Sequence, residues 1–294
     1  MIWKARLWLI LFICVLVLAP FLVPSPYSDP VHVQPLSHWL AKLGRDSTRE
    51  EQSAAREAIW ALGDQAVPQL VFWIGAKESQ LSKLALKVEA LLGIDLPVTP
   101  VAVRHERAIA AFHILGSRAD NAIPALASLA RDPRTALPAT RALTSLGAGA
   151  LEPLLVALEN GPPEARTIAA LDLGYRAIPD GRSVQSLIDA LQDEDAKVRW
   201  TAAHALARFP GAADLVVPAL VSALSDPDQS VRGRAISSLG DLGTNAEPAL
   251  PALIALSQKH PELIWFLSGA VTRISPRVAE EHGLLSSARL VSYE

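Results

Sequence analysis

The chain has 294 residues, of which 50% are hydrophobic, 19% charged and 5% aromatic. So few charges on so apolar a chain exclude a disordered protein, and a core built from Leu, Ala, Val and Ile suits helix-on-helix packing better than a β-sandwich. A formal net charge of −3 supplies no field to gather phosphate backbones, so no nucleic-acid partner is expected. The single cysteine, Cys14, leaves the remainder of the chain without a thiol for a disulfide, a thiolate metal site or a nucleophile.

Residues 1–24 read as a membrane anchor or signal segment. Lys4 and Arg6 precede the apolar run from Leu7 to Val23, no acidic residue occurs before Asp29, and Trp3 and Trp8 stand where an interfacial aromatic belt would lie. The positive flank predicts a cytoplasmic N-terminus with everything after the run translocated. Pro20 divides the segment and leaves Leu7 to Ala19, a length that also fits a signal-peptide core. Val17 and Ala19 fit the small-residue positions of a cleavage site, but Pro20 is a poor scissile partner. The favoured expectation is a single-pass anchor that includes Leu7, Trp8, Cys14, Ala19 and Val23, with a secreted or periplasmic product after cleavage as the alternative. Lipidation of Cys14 is disfavoured by the bulky Ile13 before it. Residues 25–38, with Pro26, Pro30 and Pro35, form an extended tether.

From residue 39 onward self-similarity dominates. Asp193-Glu194-Asp195-Ala196-Lys197-Val198-Arg199 returns 33 residues later as Asp226-Pro227-Asp228-Gln229-Ser230-Val231-Arg232. The same offset carries Leu206 to Leu239 and Pro218 to Pro251, and Arg166 and Leu173 keep the register one unit earlier. Each unit reads as a polar turn, an Ala-rich helix ending in Leu-Gly or a variant, a short turn, and a second helix opening near Pro. One such hairpin cannot close a core alone and must stack, which the small residues Ala169, Ala170, Ala202 and Ala203 permit.

Looser copies are Ala58 to Gly63, Ala111 to Gly116 and Ala142 to Gly147, each followed by a proline. The fold class predicted is therefore all-α: a right-handed α-solenoid of six to seven HEAT-like helical hairpins over residues 39–294, preceded by an N-terminal hydrophobic helix. An inserted helix and loop are expected at about 78–103. A terminal cap is expected at 262–294, where Trp265 takes the place of Arg199 and Arg232.

The Asp226-Pro227-Asp228-Gln229-Ser230-Val231-Arg232 turn, the Ala-x-x-x-Leu-Gly helix end and the Pro-Ala-Leu of the second helix resemble the HEAT-like repeats of the phycobilisome-lyase type. The likeness covers roughly residues 50 to 275. The whole layout also resembles uncharacterised bacterial membrane-anchored HEAT proteins, which implies a location at a bacterial cell envelope. It implies nothing specific about activity.

Asp193, Asp195, Asp226 and Asp228 with Arg199 and Arg232 are read as a structural ladder, Asp at each turn bonding Arg across successive units, rather than as an acidic or anion-binding site. His105-Glu106 is tested against deoxyhypusine hydroxylase, whose HEAT-like repeats resemble these and hold iron with several His-Glu pairs. One pair is too few, and Glu281-His282 is reversed. His113 and His204 read as occupying the same place in two units, as ordinary partly exposed histidines, and Trp39, Trp60, Trp73, Trp200 and Trp265 as core or capping residues.

No catalytic residue, metal, cofactor or small-molecule substrate is therefore expected. The functional expectation is a non-catalytic protein-protein interaction scaffold with an unknown protein partner and a membrane contact through the N-terminal segment. The alternative is a HEAT-type enzyme or accessory factor, phycobilin-lyase-like or deoxyhypusine-hydroxylase-like. The partner is expected to dock along the curved surface of the solenoid or against the inserted segment from Glu78 to Pro100, with any distinctive site in the irregular first half.

Overall fold

The computed structural model describes residues 34–44, 47–92, 99–260 and 263–284. The predicted membrane segment, with Leu7, Trp8, Cys14, Ala19 and Val23, most of the Pro-rich tether, part of the inserted loop and the last ten residues lie outside the described residues. Among the described residues every regular element is a helix and there is no strand. None of these helices is by itself long and apolar enough to cross a membrane. The chain divides into two compact units, residues 1–150 and 151–294.

The first unit begins with α1 (Leu36–Lys42), α2 (Arg49–Leu62), α3 (Val67–Ile74) and α4 (Gln80–Leu92) and continues with α5 (Val101–Leu115), α6 (Ile123–Leu129) and α7 (Ala136–Leu143). Thr48 starts α2 with a capping box: its hydroxyl accepts from the Glu51 N–H at 3.2 Å, and the Glu51 carboxylate accepts from the Thr48 N–H at 2.9 Å. Prolines 68 and 124 stand in the first turns of α3 and α6, where a missing N–H costs no helical hydrogen bond. Helices α2, α5 and α7 form one row and α3 and α6 another, with Ile59, Leu70, Phe112 and Leu126 fully buried between them. The inserted helix α4 leaves Leu84 and Leu91 on the surface, 50% and 83% exposed.

The second unit contains α8 (Leu151–Asn160), α9 (Pro163–Arg176), α10 (Gly181–Asp189), α11 (Ala196–Leu206) and α12 (Ala213–Ala223), then α13 (Gln229–Asp241), α14 (Leu250–Lys259), α15 (Ile264–Ile274) and α16 (Pro276–Glu281). The row α9, α11, α13, α15 stacks helix directly on helix, and α8, α10 and α12 form the row behind it. The row approaches closely because its facing residues are small. A Cβ on Gly174 would come 2.8 Å from the Ala205 Cα, and one on Gly240 would come 2.9 Å from the Ala270 Cα. Ala169, Ala170, Ala202, Ala203 and Ala235 are completely buried in the same seams.

Two readings of the repeat are corrected here. Leu239-Gly240 does not end a helix, since α13 runs on to Asp241 and the chain leaves it at Leu242-Gly243, with Gly243 at φ +58°. Gly63 and Gly116 show the same geometry, at +57° and +54°. The turn glycine of the second unit therefore lies one helical turn later, and Gly240 serves packing. The final repeat is also one residue shorter than assumed. Buried Leu263, Leu267, Ala270, Val271 and Ile274 match Val231, Ala235, Ser238, Leu239 and Leu242 at an offset of 32. Trp265 thus corresponds to Gly233, and Ile264 to Arg232.

Candidate functional site

The Asp-Arg residues come together at the turn that enters each front-row helix. Asp195 and Asp228 are N-caps, accepting the N–H groups of Lys197 and Val198 and of Ser230 and Val231 at 2.8 and 3.2 Å in each case. Asp193 and Asp226 each accept a backbone N–H two residues on, at 2.8 Å. The free face of each carboxylate takes the arginine of the preceding repeat. Arg166 reaches Asp193 at 2.7 Å, and Arg199 donates to both oxygens of Asp226 at 2.8 and 2.9 Å. Arg199 also donates from Nη1 to the carbonyls of Asp193 and Glu194, and Arg232 does the same with those of Asp226 and Pro227.

Burial raises the Asp226 pKa, but the hydrogen bonds from Arg199 and the Asp228 N–H and the charges of Arg199 and Arg232 outweigh it, so the carboxyl titrates below its ordinary range. The Arg199 guanidinium is pushed up by the same bond. These groups satisfy one another, and their chemistry is that of a structural clasp.

The two members of His105-Glu106 face different partners. Glu106 accepts from Arg141 at 2.5 and 3.3 Å, whereas His105 Nε2 lies 3.1 Å from the Ala76 carbonyl. Burial lowers the His105 pKa against the opposing pull of that hydrogen bond. Among the described residues no three His, Cys, Asp or Glu side chains converge as a metal site would require.

His113 and His204 do not hold equivalent positions. Counted from the positive-φ glycines, His113 matches Trp60 and Gly240, while His204 matches Ser237 one turn earlier. His113 Nδ1 lies 2.9 Å from the Ile109 carbonyl and 2.8 Å from the Ser145 hydroxyl. It borders a pocket of about 270 Å³ in the first unit, lined also by Leu43, Gln52, Arg56, Ala110 and Ile114.

A surface the sequence reading did not single out runs across the front row of the second unit. Leu171 and Tyr175 of α9 flank a shallow cleft against His204 and Ala205 of α11 and the adjoining Arg208. On α11 the Trp200 and His204 rings lie 5.8 Å apart. The guanidinium of Arg234 on α13 lies 4.2 Å above the Trp200 ring, with Nη1 3.4 Å from His204 Nδ1. Phe266 of α15 lies 3.9 Å from where a Gly233 Cβ would stand, beside Trp265.

Tyr175, Trp265 and Phe266 are 68%, 62% and 51% exposed, and Trp60 of the first unit is 50% exposed beneath Arg118, so of the core and capping roles read for Trp60 and Trp265 the core role is excluded. Burial, reinforced by the positive charges of Arg234 and Arg208 and opposed by Asp241, holds the His204 imidazole below its ordinary pKa. Arg208 is exposed, the Arg234 Nε is buried without a hydrogen-bond partner, and neither guanidinium has a carboxylate partner among the described residues.

Residues 151–216 match the family model described as HEAT repeats, and residues 216–246 match that described as HEAT repeat. Residues 151–246 thus resemble HEAT repeats, and the described residues form stacked helical repeats of the α-solenoid kind. No curated protein matches it. Among solved structures, an engineered protein is similar over 85% of this chain and 82% of its own, at 18% identity and TM-score 0.42. A designed armadillo repeat protein in complex with the peptide (KR)4 is similar over 82% of this chain and 100% of its own, at 15% identity and TM-score 0.34.

Proposed function

We propose that this protein is a non-catalytic protein-interaction scaffold held at a bacterial cell envelope by its N-terminal segment. The observation that carries the scaffold reading is the strip from Tyr175 through His204, Trp200 and Arg234 to Phe266. It sets exposed Tyr175 and Phe266 and half-buried Trp200, His204 and Arg234 on the four helices of the front row, whose spacing is fixed by tight packing and by the Arg-Asp clasps. Aromatic and Arg side chains are the groups that dominate binding energy at protein interfaces, and a rigid support lowers the entropic cost of using them. The anchoring reading rests on the sequence, in which Lys4 and Arg6 precede the run from Leu7 to Val23.

Capture from detergent-solubilised membranes tests the scaffold. The full chain should retain a specific protein that the double variant Tyr175→Ala, Phe266→Ala loses while its melting temperature is unchanged. Equal capture by both would overturn the assignment of the surface. Carbonate extraction of membranes tests the anchor, and release of full-length protein into the soluble fraction would refute it.

A further inference from the structure

The charge pattern of the strip bears on what it binds. Among the described residues neither Arg208 nor Arg234 has a carboxylate partner, and Arg232 on the same helix as Arg234 donates only to backbone carbonyls, whereas most arginines around them are paired. Arg166 and Arg199 are neutralised by Asp193 and Asp226, Arg176 by Asp172, Arg182 by Glu152 and Arg273 by Asp241. Arg208 and Arg234 flank His204 with no carboxylate on either, and Asp241, the acidic group nearest in effect, is engaged by Arg273 at 2.5 Å. Arg234 is held in place by the Trp200 ring and not by an acid, so its charge is positioned yet unspent. Tyr175 and Phe266, both exposed, stand on either side of these cations. A chain lying along the row meets an apolar ring, a positive cluster and an apolar ring in turn.

Resting on the scaffold reading above, we propose that the partner segment is an extended acidic peptide, with carboxylates set against Arg208 and Arg234 and apolar or aromatic side chains against Tyr175 and Phe266. A basic segment would meet two unneutralised guanidinium groups at the centre of the strip. A purely apolar one would cover the Arg208 and Arg234 guanidinium groups without a counter-charge. A carboxylate set against the Arg208 and Arg234 guanidinium groups supplies the counter-charge that both lack among the described residues and reverses the sign of the local field.

Fluorescence anisotropy with labelled octapeptides tests this on the full chain in mild detergent. The probes alternate Glu with Phe, Lys with Phe, and Gln with Phe. The Glu-Phe peptide should bind at least about tenfold more tightly than the other two and weaken as salt rises. The double variant Arg208→Glu, Arg234→Glu should reverse the order in favour of Lys-Phe. Its thermal melt is checked against wild type, and Arg208→Gln alone, at an exposed position, repeats the measurement with less demand on folding. The proton chemical shifts of His204 add a second readout, since a bound carboxylate should raise its pKa.

Equal affinity for the three peptides, or an order unaffected by charge reversal, overturns the acidic assignment. If a membrane protein is still captured in a Tyr175- and Phe266-dependent way, the scaffold reading stands without it. If capture also fails, both fall.

Discussion

Arg199 donates two hydrogen bonds to Asp226, 27 residues further along the chain, while the third nitrogen of its guanidinium holds the carbonyls of its own turn. One side chain thus fixes the entry of its own helix and couples it to the next repeat. The two side chains are 12% and 6% exposed, so neither is well placed to recover its interactions from water. Arg199→Ala should destabilise the second unit by about 2 kcal/mol, somewhat under the usual cost of breaking a buried pair because the turn is at the surface. Arg182→Ala, which breaks a bridge whose side chains are 68% and 60% exposed, should leave the urea midpoint unchanged. Equal effects of the two substitutions would show that the clasp has no special weight.

Acid should open the second unit in two separable stages. His204 titrates below its ordinary value in the folded state, so its contribution is present above the ordinary imidazole pKa and is lost as pH falls through the folded one. Asp226 is likewise lowered, so its contribution is complete above the ordinary carboxylate pKa and disappears as pH falls through the lowered value. Asp172 runs the other way. Burial raises its pKa against the hydrogen bond and charge of Arg176, so protonation favours the fold there. Urea midpoints followed from neutral pH downward should show the loss in the carboxylate range shrink in Asp226→Asn and persist in His204→Gln.

The recurrence of Asp193 as Asp226 and of Arg199 as Arg232 at a constant offset was legible, but only Asp193 and Asp226 take an arginine of the preceding repeat; Asp195 and Asp228 cap their own helices, and Arg232 donates only to carbonyls of its own turn. Local turn chemistry and helix capping then determine most of the geometry. The aromatic-cationic strip was not legible for the complementary reason. Trp200 meets Arg234, and Gly233 meets Phe266, so each contact joins non-equivalent positions or unlike residues in neighbouring repeats. Comparing equivalent positions finds Trp200 against Gly233 and sees no column. The clue available was the offset of 34 from Trp200 to Arg234, one more than the repeat, which sets the second residue diagonally across the first. The most conspicuous irregularity in the sequence lies instead in the first half, where α4 breaks the spacing. Helix ends were misplaced for a related reason, since Leu239-Gly240 and Leu242-Gly243 offer the same dipeptide one turn apart and only the packing of α15 distinguishes their roles.

Those two glycines should respond differently to the same substitution. Gly240 is helical, and its replacement by Ala would place a Cβ 2.9 Å from the Ala270 Cα, a backbone atom that cannot move without shifting α15. The gain in helix propensity, roughly 1 kcal/mol, is opposed by overpacking of about 1 to 3 kcal/mol, so Gly240→Ala should destabilise and should loosen α15 and the exposed Phe266 it carries. Gly174→Ala meets the Ala205 Cα at 2.8 Å and should act in the same way between α9 and α11. Gly243 has nothing within 4 Å of its Cβ position but holds φ +58°, so Gly243→Ala should cost about 1 to 2 kcal/mol through backbone strain alone. Hydrogen exchange separates the two mechanisms. Gly240→Ala should raise exchange in both α13 and α15, whereas Gly243→Ala should raise it only at the turn leaving α13. Protection unchanged in α15 after Gly240→Ala would mean that the seam tolerates a methyl group and that its tightness does not position the strip.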